Sequence, residues 1–135
     1  MLSFFKWRKE GYIMKLEELL TLTERLDQLI DECAVIYQRH REENKKGDFY
    51  TEVKPFADLT YKVSTEWKEE ISNWLSSVSV KNLHRIQLEQ ACENIEMISV
   101  QAFFPETSYK RFQSYVQSTK YTISVVYHSL QSHLD

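Results

Sequence analysis

The chain has 135 residues, 42% of them hydrophobic and 27% charged, which makes it one ordinary globular domain rather than a disordered segment. Its formal net charge of −3 and sequence pI of about 5.8 lack the basic field that drives nucleic-acid binding and attraction to anionic membranes, so neither a nucleic acid nor a membrane is expected as a partner. Two glycines and two prolines, where average usage gives about sixteen together, argue against a turn-rich sheet and point to a few long helices.

Residues 1–13 carry Phe4, Phe5 and Trp7 between charges and are too short for a secretory signal. No apolar run approaches the roughly twenty residues that span a bilayer. Lys9-Glu10-Gly11 can be encoded by codons containing a strong bacterial ribosome-binding sequence, and Met14 follows at suitable spacing. Translation is therefore expected to start at Met14, which makes 1–13 an extension and 14–135 the domain.

The first helix is expected over Met14 to about Glu43, where Leu19, Leu22, Leu26, Leu29, Ile30, Cys33 and Tyr37 recur every three or four positions. Early Glu17, Glu18 and Glu24 and late Arg39, Arg41, Lys45 and Lys46 complement its dipole, and Gly47 offers a stop. Asp48 suits the N-cap of the second helix, and Pro55 should break or kink the entry to it. Phe56, Val63, Trp67, Ile71, Trp74 and Val78 then form a stripe to about Ser79. The third helix, about Leu83 to Phe104, stacks Leu88, Ala91, Cys92, Ile95, Ile98 and Ala102, and Pro105 ends it. Thr107 or Ser108 can cap the fourth, which carries Phe112, Val116, Thr119, Ile123, Val126, Leu130 and Leu134 on one side.

Four such helices with short connections pack most simply as an all-α, antiparallel up-down-up-down four-helix bundle. Cys33 and Cys92 both fall on apolar stripes and read as buried free thiols of a cytoplasmic protein. No motif supplies the cationic neighbour that a reactive thiol needs.

Asp48-Phe49, Lys54-Pro55, Trp67, Leu83-His84 with Gln87 and Asn94, Lys110-Arg111-Phe112, Ser118 and Tyr121-Thr122 resemble, in order and spacing, the YppE-like family of Bacillus-type Gram-positive bacteria. That family is a domain of unknown function, and the resemblance covers the chain from the second helix onward. It implies a helical bundle of similar length in the bacterial cytoplasm and brings no catalytic or binding residue with it.

Helical bundles host di-iron sites built from Glu-x-x-His pairs. Here His40, His84, His128 and His133 are preceded three positions earlier by Tyr37, Lys81, Val125 and Leu130, so no metal and no cofactor is expected. Glu89, Glu93 and Glu96 read as a solvated face. His84 and Gln87 fit a local cap, the alternative being a base or ligand at a bundle end. Lys110 and Arg111 oppose the dipole at the start of the fourth helix. They could meet an anion or an acidic partner, although an ion pair with Glu106 or a neighbouring helix is simpler. Base stacking on aromatics is rejected, because the aromatics lie mostly on core stripes.

The fourth helix is unusual in its charge. Between Gln113 and Leu134 the only formally charged residue is Lys120. At about 100° per residue, Tyr121 and Val125 point away from the apolar stripe, flanked by Ser114, Ser118, Ser129 and Ser132. The third helix repeats the pattern with Ile86, Met97, Val100 and Phe104. Such a neutral, hydroxyl-rich back is expected either to be covered or to stand as a plain exposed helix. The cover is a second copy related by a two-fold axis, or residues 1–13 folded back. The candidate interaction surface is thus Met97, Val100, Phe104, Ser118, Tyr121 and Val125. The expected role is non-enzymatic contact with a second copy or another protein, the alternative being a bundle or enzyme that holds a small molecule between Trp67 and Trp74.

Overall fold

The computed structural model describes residues 2–135, with side chains from Lys9 onward. Among them the chain forms α1 (Leu2–Glu43), a π-helical turn (Phe49–Val53), α2 (Lys54–Leu75), α3 (Arg85–Gln101) and α4 (Tyr109–Leu134). α1 and α3 each pack against both α2 and α4 and face one another across the diagonal. Lys15 pairs with Glu70 and Thr23 with Trp67 along α2, while Lys120 pairs with Asp27 and Asp31 and Tyr127 with Glu24 along α4. These pairings run α1 antiparallel to both of its neighbours, which is the up-down-up-down bundle.

The stripes read from the sequence form the core. Trp67, Tyr37, Phe112, Leu26, Ile30, Ile71, Leu88, Ile95 and Leu130 are all fully buried. Burying a side chain of this kind contributes about 1.5–3 kcal/mol. The two polar aromatics among them are satisfied. Trp67 Nε1 donates to Thr23 Oγ1 at 3.1 Å, and Thr23 in turn donates to the Leu19 carbonyl at 2.7 Å. Tyr37 stacks on Phe112 at 4.2 Å and donates to the Thr107 carbonyl at 2.5 Å. Cys33 and Cys92 are buried and unbridged.

The ends of the elements depart from expectation at α1 and at the limits of α2 and α3. α1 does not begin at Met14: it runs back to Leu2, with Gly11 exposed and open space where a Cβ would stand. A glycine costs a helix only about 1 kcal/mol, and this one does not stop it. The helix has no break at which residues 2–13 could fold back over α4; the side chains of Phe4, Phe5 and Trp7 lie outside the described residues.

Gly47 is not the helix stop either. The left-handed residue after α1 is Asn44, at φ 50, a conformation that asparagine tolerates better than most. Gly47 instead lets the backbone approach α3. Its N–H donates to the Phe103 carbonyl at 2.9 Å, and an added Cβ would lie 2.7 Å from the Phe103 ring.

Pro55 acts as expected on the entry to α2, through a change of helical type. Val53 N–H reaches back five residues to the Asp48 carbonyl at 3.0 Å, and α2 proper starts with Pro55 in its first turn. There the missing N–H has no partner to lose. Finally, α2 ends at Leu75 and α3 starts at Arg85 and ends at Gln101. Val78, Val80 and Leu83 keep packing on the core from the intervening loop, so the apolar pattern outlasts the helix. Phe103 and Phe104 close α3 through turns bonded to Val100 and Gln101, ahead of Pro105.

Candidate functional site

Among the described residues no three His, Cys, Asp or Glu side chains converge as metal ligands. Trp67 and Trp74 are packed in the core, and their indole N–H groups are held by Thr23 and Tyr12 at 3.1 and 3.2 Å. Burial pushes the Cys33 thiol up to about 12, with Glu32 adding to it, and the Cys92 thiol up to about 11. A thiol so raised carries almost no thiolate at neutral pH and is a poor nucleophile.

The polar candidates are spread over both ends of the bundle and do not meet. His84 is the N-cap residue of α3, where the Gln87 carboxamide accepts its backbone N–H at 2.7 Å. Lys110 and Arg111 are exposed at the start of α4, where Ser108 Oγ accepts the Arg111 backbone N–H at 3.3 Å. The expected ion pair with Glu106 is not formed; among the described residues neither cation is in a salt bridge.

The uncharged back of α4 survives as a surface, and Lys120 sharpens it. Its ammonium is turned sideways onto Asp27 and Asp31 of α1. The α4 back therefore presents no formal charge from Gln113 to Leu134. At its middle stands Tyr121, 69% exposed, beside exposed Ser118. Of the apolar residues on the back of α3, Val100 and Ile86 are exposed. Met97 and Val125 are half-buried, and Phe104 is half-buried with the Lys46 ammonium 5.7 Å above its ring. The six-residue surface expected from the helical wheel is thus divided. Tyr121, Ser118 and Val100 are free to meet a partner, while Met97, Phe104 and Val125 are largely used by their own chain.

Two features have no counterpart in the sequence reading. One is a groove of about 750 Å³ between α1 and α4. Thr23, Val116 and Ile123 form its buried floor, Glu24, Asp27 and Lys120 its rim, and Gln117, Tyr121, Ser124, Tyr127 and His128 its α4 wall. It depends on pairing residues about a hundred positions apart, which no local pattern reveals. The other is His40, which lies in a charged run yet is buried. Its Nδ1 donates to the Lys45 carbonyl at 2.6 Å, its ring meets Phe103 edge-on at 5.4 Å, and Nε2 stands 3.7 Å from Glu52 without a hydrogen bond. These contacts tie the end of α1 to the loop that follows it and to Phe103, and do not open on the α1–α4 groove.

An all-α bundle with tryptophans packed in its core, two buried free thiols and a surface groove places the chain among small helical-bundle proteins. The chain belongs to the bacterial family described as a domain of unknown function, DUF1798, whose profile matches residues 23–130. It is 25% identical over 110 residues to the uncharacterized protein YppE of Bacillus subtilis strain 168, covering 82% of this chain and 89% of that one. A crystal structure of a protein of unknown function from Listeria innocua is similar at 35% identity and a TM-score of 0.85, over 90% of this chain and 97% of that one. A DUF1798 structure from Staphylococcus aureus, at 22% identity, shares the fold with a TM-score of 0.78 over 84% and 96% of the two chains. No helix among the described residues is long and apolar enough to cross a membrane.

Proposed function

We propose that this is a non-enzymatic cytoplasmic protein that works by contact, associating with a second copy of itself through the back of α4. The observation that carries the reading is the missing charge on the back of that helix from Gln113 to Leu134, beyond its first turn with Lys110 and Arg111. Exposed helices of small bundles ordinarily carry charged residues on their outer face, and here the single cation of that stretch, Lys120, is spent on Asp27 and Asp31. In a two-fold interface every residue near the axis meets its own copy. A charged face would repel itself there, whereas serines, glutamines and Tyr121 do not.

Light scattering or sedimentation equilibrium over a wide concentration range tests this reading. The expected result is a reversible monomer–dimer equilibrium with micromolar dissociation. A strictly monomeric protein at millimolar concentration rejects it.

A further inference from the structure

Tyr121, 69% exposed, stands on the α4 wall of the α1–α4 groove, so one surface carries both a projection and a recess. That combination is what a self-complementary patch requires, because an isologous contact sets each feature against its own copy. We infer that the Tyr121 ring of each copy seats in the α1–α4 groove of the other, an inference that rests on the proposed self-association through α4.

Chemistry favours this occupant. The floor contributed by Val116 and Ile123 is apolar and suits an aromatic ring. The nearer α4 wall, Gln117 and Ser124, is neutral, and Lys120 on the rim is already held by Asp27 and Asp31. Glu24 is the rim carboxylate in no salt bridge among the described residues, and its contact with the Tyr127 hydroxyl is long, at 3.3 Å. A carboxylate accepts several hydrogen bonds. An incoming phenol donates one of them to Glu24 without bringing a charge into the interface.

Area points the same way. The 22 residues of α4 from Gln113 to Leu134 give a face about 33 Å long and about 10 Å wide. Two such faces bury only about 700 Å², below the roughly 1,200 Å² at which specific interfaces begin. An aromatic side chain buries about 150–250 Å². Two seated Tyr121 rings therefore bring the contact to the threshold, and association depends on them.

Sedimentation equilibrium of the wild type, Tyr121→Ala, Ser124→Arg and the double variant tests the seating. The arginine fills the groove from its α4 wall, while the alanine removes the ring. Each single change is expected to weaken self-association at least about 20-fold, as loss of a central aromatic anchor does. The double variant is expected to be no weaker than the single ones, since both break one contact. Tyr121→Phe keeps the ring and loses the O–H, and weakening by about 3- to 10-fold is expected. Dimers untouched by either single change overturn the seating while leaving self-association standing, and the groove then has another occupant or none. Losses that simply multiply in the double variant overturn it as well. A monomeric wild type overturns both readings. Both positions are exposed on α4, so helical content, and thermal unfolding at concentrations where the wild type is monomeric, are expected to stay at the wild-type level.

Discussion

Thr23 on α1 and Thr119 on α4 are both fully buried, yet their hydroxyls are placed very differently. Thr23 accepts from Trp67 and donates to Leu19, while Thr119 Oγ1 has no hydrogen-bond partner among the described residues. The same substitution should therefore act with opposite sign at the two sites. Thr23→Val leaves the Trp67 N–H unsatisfied inside the core and is expected to cost about 1–3 kcal/mol. Thr119→Val replaces an unpaired hydroxyl by a methyl of equal bulk and is expected to stabilise by up to about 1 kcal/mol. Urea unfolding of both variants checks this: the midpoint should fall for the first and rise for the second, with the slope unchanged. Which threonine was satisfied could not be read from the sequence. Both sit on apolar stripes, and the difference lies in whether an indole from another helix arrives.

The π turn is capped by Asp48 and runs straight into α2, where the Lys54 N–H donates to the Phe49 carbonyl. Asp48 Oδ2 accepts from the Thr51 N–H at 2.9 Å and from the Thr51 hydroxyl at 2.8 Å, and Glu52 Oε1 accepts the Asp48 N–H at 3.0 Å. The bonds from Thr51 hold the Asp48 carboxyl below its ordinary value of 3.8. A carboxyl lowered by folding favours the folded state above the ordinary value, and that contribution is lost as pH falls through the lower, folded value. Asp48→Asn removes the titrating group. Its melting temperature is expected to lie below that of the wild type at neutral pH, and the gap should narrow as pH drops below 3.8. A gap that stays constant through the acid range would show that the cap does not couple to protonation. The cap itself was legible as Asp48 ahead of an apolar run. The π turn was not, because the five-residue reach from Val53 to Asp48 leaves the residue pattern of an ordinary helix start.

For the molecule as a whole, the bundle was legible because stripes such as Phe112, Val116, Ile123, Val126 and Leu130 keep strict helical spacing and all become buried. The limits of α2 and α3 were less so, since Val78, Val80 and Leu83 stay on the core while the backbone has left the helix. The candidate surface was half legible. Absence of charge marked the back of α4, but a helical wheel cannot tell that Val125 packs inward or that Lys46 covers Phe104. The groove required knowing which helix lies beside α4. Glu24 and Tyr127 meet only because α1 and α4 run antiparallel as neighbours. The proposed dimer, with a contact at the lower size limit of specific interfaces, is expected to be a population set by concentration rather than a permanent assembly, and the melting temperature is then expected to rise with protein concentration.

The two thiols give the protein a practical property. With values pushed up to about 12 and about 11, Cys33 and Cys92 carry thiolate fractions on the order of 10⁻⁵ and 10⁻⁴ at neutral pH, whereas an exposed thiol, near 8.5, carries a few per cent. Toward alkylating reagents both native thiols of the folded chain are thus expected to react far more slowly than an exposed cysteine. A probe is then expected to attach to a cysteine introduced at Ser118 without first removing either native thiol, and paired spin labels there would test the proposed pairing of two α4 helices.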